Sequence, residues 1–203
     1  MNTKLSGGVL QMKKIFYEDI KNQQLVDVRT QHGYQEGHIK NSLNLNPSNF
    51  KTYATYYLDV NQPVIFIVGS EEEAHLEELS EFADELGFTQ NNGYLLIDEV
   101  PKEDLQTTET IPAEDFLNKS DDFILLDVRH PDEITRPAPE KNLVNSPFED
   151  LVNDYQSLDT SKQIFTLCGS GNRSTAAASF LESKGLNPKV IEGGMKAIQE
   201  VGR

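Results

Sequence analysis

Thiols are nearly absent from this chain of 203 residues, which contains one cysteine, Cys168. A lone cysteine forms no internal disulfide and no Cys-x-x-Cys metal or redox pair, so secreted disulfide scaffolds and thiolate zinc sites are excluded. If Cys168 does chemistry, any resolving thiol must come from another molecule. Basic residues are scarce as well, 18 Lys and Arg against 33 Asp and Glu, for a formal net charge of −15. Nucleic-acid binding needs clustered Lys and Arg, which this sequence lacks. An anionic ligand would need a local positive site against an unfavourable overall field. Long apolar runs are missing, and nothing approaches the ~20 residues that cross a bilayer. Residues 1–11 carry neither the apolar core nor the small-residue cleavage site of a secretory signal, so the expected compartment is the cytoplasm. The histidines, His32, His38, His75 and His130, lack ligand spacing, and neither a metal nor an organic cofactor is expected.

The length exceeds the ~100–150 residues of a typical domain, and two compact domains are the natural reading. An internal repeat supports it. Gln24-Leu25-Val26-Asp27-Val28-Arg29 resembles Ile124-Leu125-Leu126-Asp127-Val128-Arg129, and Ile65-Phe66 aligns with Ile164-Phe165 in the same order at nearly the same offset. The expected division is a leader or linker over residues 1–11, a first domain over 12–104 and a second over 105–203. Short continuous apolar runs at 124–128 and 164–167 predict parallel strands buried on both faces. Leu76, Leu79, Phe82, Ala83 and Leu86 recur at helical spacing, with Ser70 as the expected N-cap and Gly87 as the terminator. A second helix is expected over 174–184, its Ala176-Ala177-Ala178 run allowing close packing on a sheet. Strands alternating with helices place both halves in the α/β class, each a parallel sheet flanked by helices.

The segment Cys168-Gly169-Ser170-Gly171-Asn172-Arg173-Ser174 lies between a predicted buried strand and a helix. There the unpaired backbone N–H groups of the helix start converge and the helix dipole favours negative charge, conditions that stabilise the nucleophilic thiolate. Gly169 and Gly171 let the backbone fold around one anionic centre, Arg173 adds a fixed positive charge, and Ser174 serves as N-cap, alone or with a bond to the sulfur. A buried cysteine can also be a small hydrophobe, but two glycines, an asparagine and an arginine have no role in a core and all suit anion binding. In the first half Gly69-Ser70-Glu71-Glu72-Glu73 stands in place of this loop, with no nucleophile.

The Asp-Val-Arg motifs, Gly37-His38-Ile39 with Ser42 and Asn44, the Cys-x-x-Gly-x-Arg-Ser loop and Glu192-Gly193-Gly194 together resemble a tandem rhodanese with an inactive first repeat. The resemblance covers the chain from about Lys13. It implies that Cys168 carries sulfane sulfur as a persulfide, that the amides of Gly169, Ser170, Gly171, Asn172 and Ser174 hold it, and that Arg173 steadies the loop or an anionic donor. It further implies a small-molecule donor, such as thiosulfate or a low-molecular-weight persulfide, and a thiophilic acceptor such as a thiol, sulfite or cyanide. Met195 is expected near the pocket rim. The second half lacks the Gly-His-Ile signature, and Arg136 or Lys141 is there either for donor recognition or as a solvated charge. Gly169 stands where many single-domain relatives have arginine, which argues against thiosulfate as preferred donor. The arrangement is also similar to the C-terminal part of fusions that place a persulfide dioxygenase ahead of rhodanese repeats, which makes a fused or separate dioxygenase an expected partner. Two other functions fit the residues: a sulfur-carrier or partner-binding module, and a cysteine phosphatase. The phosphatases use a longer loop than the four residues between Cys168 and Arg173.

Overall fold

A computed structural model describes residues 12–202. The expected leader, residues 1–11, lies outside the described residues. The chain runs β1 (Lys13–Lys14), β2 (Gln24–Asp27), α1 (Gln31–Glu36), β3 (His38–Ile39), β4 (Leu43–Asn44), α2 (Pro47–Tyr57), β5 (Val64–Val68), α3 (Leu76–Leu86) and β6 (Gly93–Leu96). It then passes through β7 (Leu105–Gln106) into β8 (Glu109–Ile111), α4 (Ala113–Leu117), β9 (Phe123–Asp127), β10 (Leu143–Asn145), α5 (Phe148–Asp154), β11 (Gln163–Leu167), α6 (Asn172–Ser183), β12 (Lys189–Ile191) and α7 (Gly194–Val201). Two parallel five-stranded sheets result, ordered β1-β6-β5-β2-β4 and β10-β9-β11-β12-β8, with helices on their faces.

The duplication extends to single hydrogen bonds. Asp27 and Asp127 each chelate the arginine two residues on, Arg29 and Arg129. Asn44 and Asn145 each donate to the backbone carbonyls of the Asp and Arg in their own repeat. Two buried carbonyls at a strand end are thereby satisfied by one side-chain amide, and the loop after the strand is fixed. Leu105–Gln106 pairs antiparallel with His38–Ile39 of the first unit, and the second sheet begins at Glu109, so the changeover falls between Gln106 and Glu109.

Helix α6 explains how the units join. Its residues 174–181 are all buried, polar ones included. One side rests on β11 and β12 of its own sheet and the other on β4 and α1 of the first unit. The three alanines allow approach from both sides, and Ser179 Oγ accepts the N–H of Asn44, 2.9 Å away, on the edge strand β4. That hydroxyl answers an edge donor that burial would otherwise leave unpaired, at a cost of about 1–3 kcal/mol. An apolar cluster continues across the junction. Tyr57 stacks on Phe148 with ring centroids 4.6 Å apart, meets Phe180 edge-on at 5.0 Å, and donates its hydroxyl to the Phe148 carbonyl. Burial holds the Tyr57 phenol well above its ordinary pKa.

Helix α3 differs from the sequence expectation. It begins at Leu76 rather than after Ser70, because a 3-10 turn over Glu72–His75 intervenes and no side chain caps the start. Gly87 ends it in the left-handed region, φ 91°.

Candidate active site

Cys168 follows β11 directly and is 1% exposed. The chain turns into α6 through Gly171, whose φ of 99° is left-handed and favours glycine. That turn aims the Gly171 N–H at Cys168 Sγ, 3.1 Å away, while Sγ lies 3.5 Å from Ser174 Oγ. Helix α6 starts at Asn172 with Gly171 as its N-cap residue. Ser174 therefore sits within the first turn, not at the cap, because the glycine makes the turn without a side chain and leaves the serine hydroxyl facing the sulfur. Thr175 ties the turn down by donating its N–H and Oγ1 to the Gly171 carbonyl at 3.0 and 2.7 Å.

Glu192-Gly193-Gly194 closes the loop from behind. Met195 N–H donates to the Cys168 carbonyl at 2.8 Å and Lys196 N–H to the Gly169 carbonyl at 3.1 Å. A Cβ on Gly194, at φ 59°, would lie 2.4 Å from the Cys168 carbonyl oxygen, so only glycine permits this approach. Met195 itself is buried in the second unit's core rather than at a pocket rim. Its backbone serves the site, and its thioether fills the core.

The charged candidates are engaged elsewhere. Arg173 directs its guanidinium to the Glu133 carboxylate, with Nη1 donating to Oε2 at 3.0 Å and Nη2 to Oε1. Burial works against its charge, but the bonds and attraction to Glu133, with Tyr53 nearby, outweigh it and raise its pKa. Arg173 thus braces the start of α6 against the 131–133 turn. Arg136 reaches Gln199, and its carbonyl accepts from Arg129. Lys141 Nζ donates to the carbonyls of Lys119, Ser120 and Asp121. Neither lines the clefts beside the loop. His38 is buried, stacked on Tyr34, with Nε2 3.3 Å from Glu182.

The first unit touches the loop from the side, which sequence reasoning did not foresee. Gln31 Nε2 donates to the Ser170 carbonyl at 3.4 Å, and Gln31 Oε1 lies 3.2 Å from where a Gly171 Cβ would stand. Gln35 donates to Thr175 Oγ1 at 2.8 Å and Asn49 to Asn172 Oδ1 at 3.2 Å. These amides lie more than 120 positions from their partners in sequence and carry no local motif. Two clefts of about 470 and 270 Å³ flank the loop, sharing Gln31 and His32 as a wall. Their charged lining is Glu71, Glu72 and Glu192, and among the described residues no lysine or arginine lines either.

In the first repeat the position after β5 is Gly69, where the second repeat has Cys168 after β11. Its N–H donates to Glu72 Oε2 at 3.0 Å, and a Cβ on Gly69 would lie 2.8 Å from that same oxygen.

The rhodanese-like domain family matches the chain twice, over residues 12–98 and 112–201. Among solved structures, a rhodanese-related protein from Thermoplasma volcanium is similar at 34% identity and TM-score 0.44, over 46% of this chain and 93% of its own. A thiosulfate sulfurtransferase from Pseudomonas aeruginosa is similar across 95% of this chain and 43% of its own, at 17% identity and TM-score 0.40. An NAD-dependent persulfide reductase from A. fulgidus matches 43% of this chain and 15% of its own, at 30% identity and TM-score 0.36. No curated protein matches the chain. The two matched spans take in both copies of the repeated motifs, and the protein belongs to the rhodanese-like family as a tandem pair of rhodanese-like domains.

Proposed function

We propose that the protein is a sulfurtransferase in which Cys168 carries sulfane sulfur from a low-molecular-weight persulfide or thiosulfate to a thiophilic acceptor. The observation that carries this reading is the Gly171 N–H at 3.1 Å from the sole thiol of the chain, in a loop at the carboxyl end of a parallel strand and the start of a helix. The Cys168 thiolate attacks the outer sulfur of a persulfide R–S–SH. The S–S bond of the donor breaks, R–S⁻ leaves and Cys168–S–SH forms. An acceptor nucleophile then attacks the outer sulfur of Cys168–S–SH and departs with it, returning the thiolate. The backbone amide stabilises the anion at both ends of the cycle, and the Ser174 hydroxyl is within reach of the same sulfur.

The surroundings favour persulfides of low charge over the thiosulfate dianion. Arg173 is committed to Glu133, and the flanking clefts carry carboxylates without a lysine or arginine among the described residues. The first repeat has no nucleophile at Gly69 and acts through its amide side chains on the Cys168 loop. A persulfide dioxygenase, fused or separate, is a fitting partner, since oxidation of a persulfide consumes the same donor and releases sulfite, a thiophilic acceptor. Intact mass after exposure to glutathione persulfide and, separately, to thiosulfate tests the reading: addition of one sulfur atom at Cys168 supports it, and no addition from either donor overturns it.

A further inference from the structure

A cavity of the fold lies remote from the cysteine loop. It opens between the two units at the far end of α6, with a volume of about 800 Å³, within the range of small-molecule sites. Its floor is apolar, formed by Ile39, Leu43 and Phe180, which are 5 to 8% exposed. Its rim carries Lys21, Lys40 and Lys184, and among the described residues no Asp or Glu lines it. None of the three ammonium groups is paired with a carboxylate of the described residues, whereas Lys14, Lys51, Lys119, Lys162 and Lys189 each are. Lys184 instead lies over the Phe180 ring, 5.3 Å from its centroid. Glu182, on the same helix, turns away to His38. A chain with net charge −15 that gathers three unpaired lysines around one carboxylate-free cavity has a local reversal of its own field.

We infer that this cavity binds an organic polyanion of nucleotide size, its phosphates at Lys21, Lys40 and Lys184 and its flat body on the apolar floor. Tyr17 and Phe180 supply rings against which a planar base packs, and Asn22 and Asn41 stand on the rim as amide donors. Three separated cations suit a ligand with several negative oxygens, and the floor suits one that is more than phosphate. The site is independent of sulfur transfer at Cys168 and would stand if that reading failed.

Calorimetric titration of the intact chain with ADP tests the inference, beside titrations with pyrophosphate and adenosine. Saturable ADP binding is expected, tighter than either part alone. Lys40→Gln should weaken it roughly fivefold and the triple Lys21→Gln, Lys40→Gln, Lys184→Gln variant by about tenfold or more. The matched surface changes Lys51→Gln and Lys102→Gln should leave it unchanged. All these lysines are exposed, and circular dichroism checks that each variant keeps the fold. Absence of ADP binding, survival of binding in the triple variant, or pyrophosphate binding as tightly as ADP would each overturn the proposal.

Discussion

The Glu72 carboxylate accepts the N–H of Gly69 at 3.0 Å and fills the space that a side chain at position 69 would need, so the first repeat holds a built-in anion beside the residue that aligns with Cys168. In the second repeat the sulfur of Cys168 takes a backbone N–H in a corresponding strand-end loop. The two loops thus satisfy a backbone amide with different acceptors, the Glu72 carboxylate in one and the Cys168 sulfur in the other. Gly69→Cys in a Cys168→Ser background is expected to stay inactive in sulfur loading, because the new thiol meets Glu72 as a clash and as a like charge. Glu72→Ala should lower stability by about 1–3 kcal/mol in denaturant unfolding, the cost of a half-buried amide left unpaired. A Gly69→Cys single change that loads sulfur in that background would contradict this account.

Cys168→Ser is expected to abolish sulfur addition from every donor while the melting curve stays close to wild type, since serine is nearly isosteric and Gly171 N–H keeps an acceptor. Residual donor-dependent loading in the variant would place the carrier elsewhere.

Gln31→Ala should reduce the rate of sulfur loading without unfolding the chain. The change removes the amide on the Ser170 carbonyl and the side chain against Gly171, loosening the loop from the first unit's side. Gln31→Glu retains the bulk but loses the donor and adds negative charge beside the cysteine loop, so it should be slower still with anionic donors. Equal rates for wild type and both variants, at matched stability, would leave the first unit without influence on the loop.

Gly194→Ala is expected to damage both stability and sulfur loading more than Gly185→Ala. Both glycines have left-handed backbone, which costs an alanine about 1–2 kcal/mol. Open space surrounds Gly185, whereas the added methyl at 194 would press on the Cys168 carbonyl and break the Met195 bond to it. Comparable melting temperatures for the two variants would refute the clamp.

Burial raises the pKa of Tyr34 and of Tyr57 above the ordinary value of 10.0. The neutral phenol is the favoured form in the folded chain. Its contribution to stability is therefore fully present below the unfolded value near 10 and is lost as pH rises above it. Spectrophotometric titration should show two of the seven tyrosines ionising only with alkaline unfolding, and Tyr57→Phe should remove one of them. Simultaneous ionisation of all seven with intact circular dichroism would count against the buried junction.

The sequence alone determined the duplication, the α/β class and the residues of the cysteine loop. These follow from contiguous features: apolar runs mark buried strands, and a cysteine with glycines between strand and helix defines local backbone dihedrals within a few residues. Tertiary structure decided what distant groups do. From the sequence Arg173 steadies either the loop or an anionic donor; folding brings Glu133 to its guanidinium from 40 positions away, and the pair braces the start of α6. Ser174 looked like a cap, but Gly171 makes the turn and leaves the serine inside the helix. The alanines of α6 signalled close packing on one sheet, and only the assembled fold showed a second surface, β4 and α1, against the other side. Gln31, Gln35 and Asn49 carry no motif, because an amide becomes functional only through the partner that packing places opposite it.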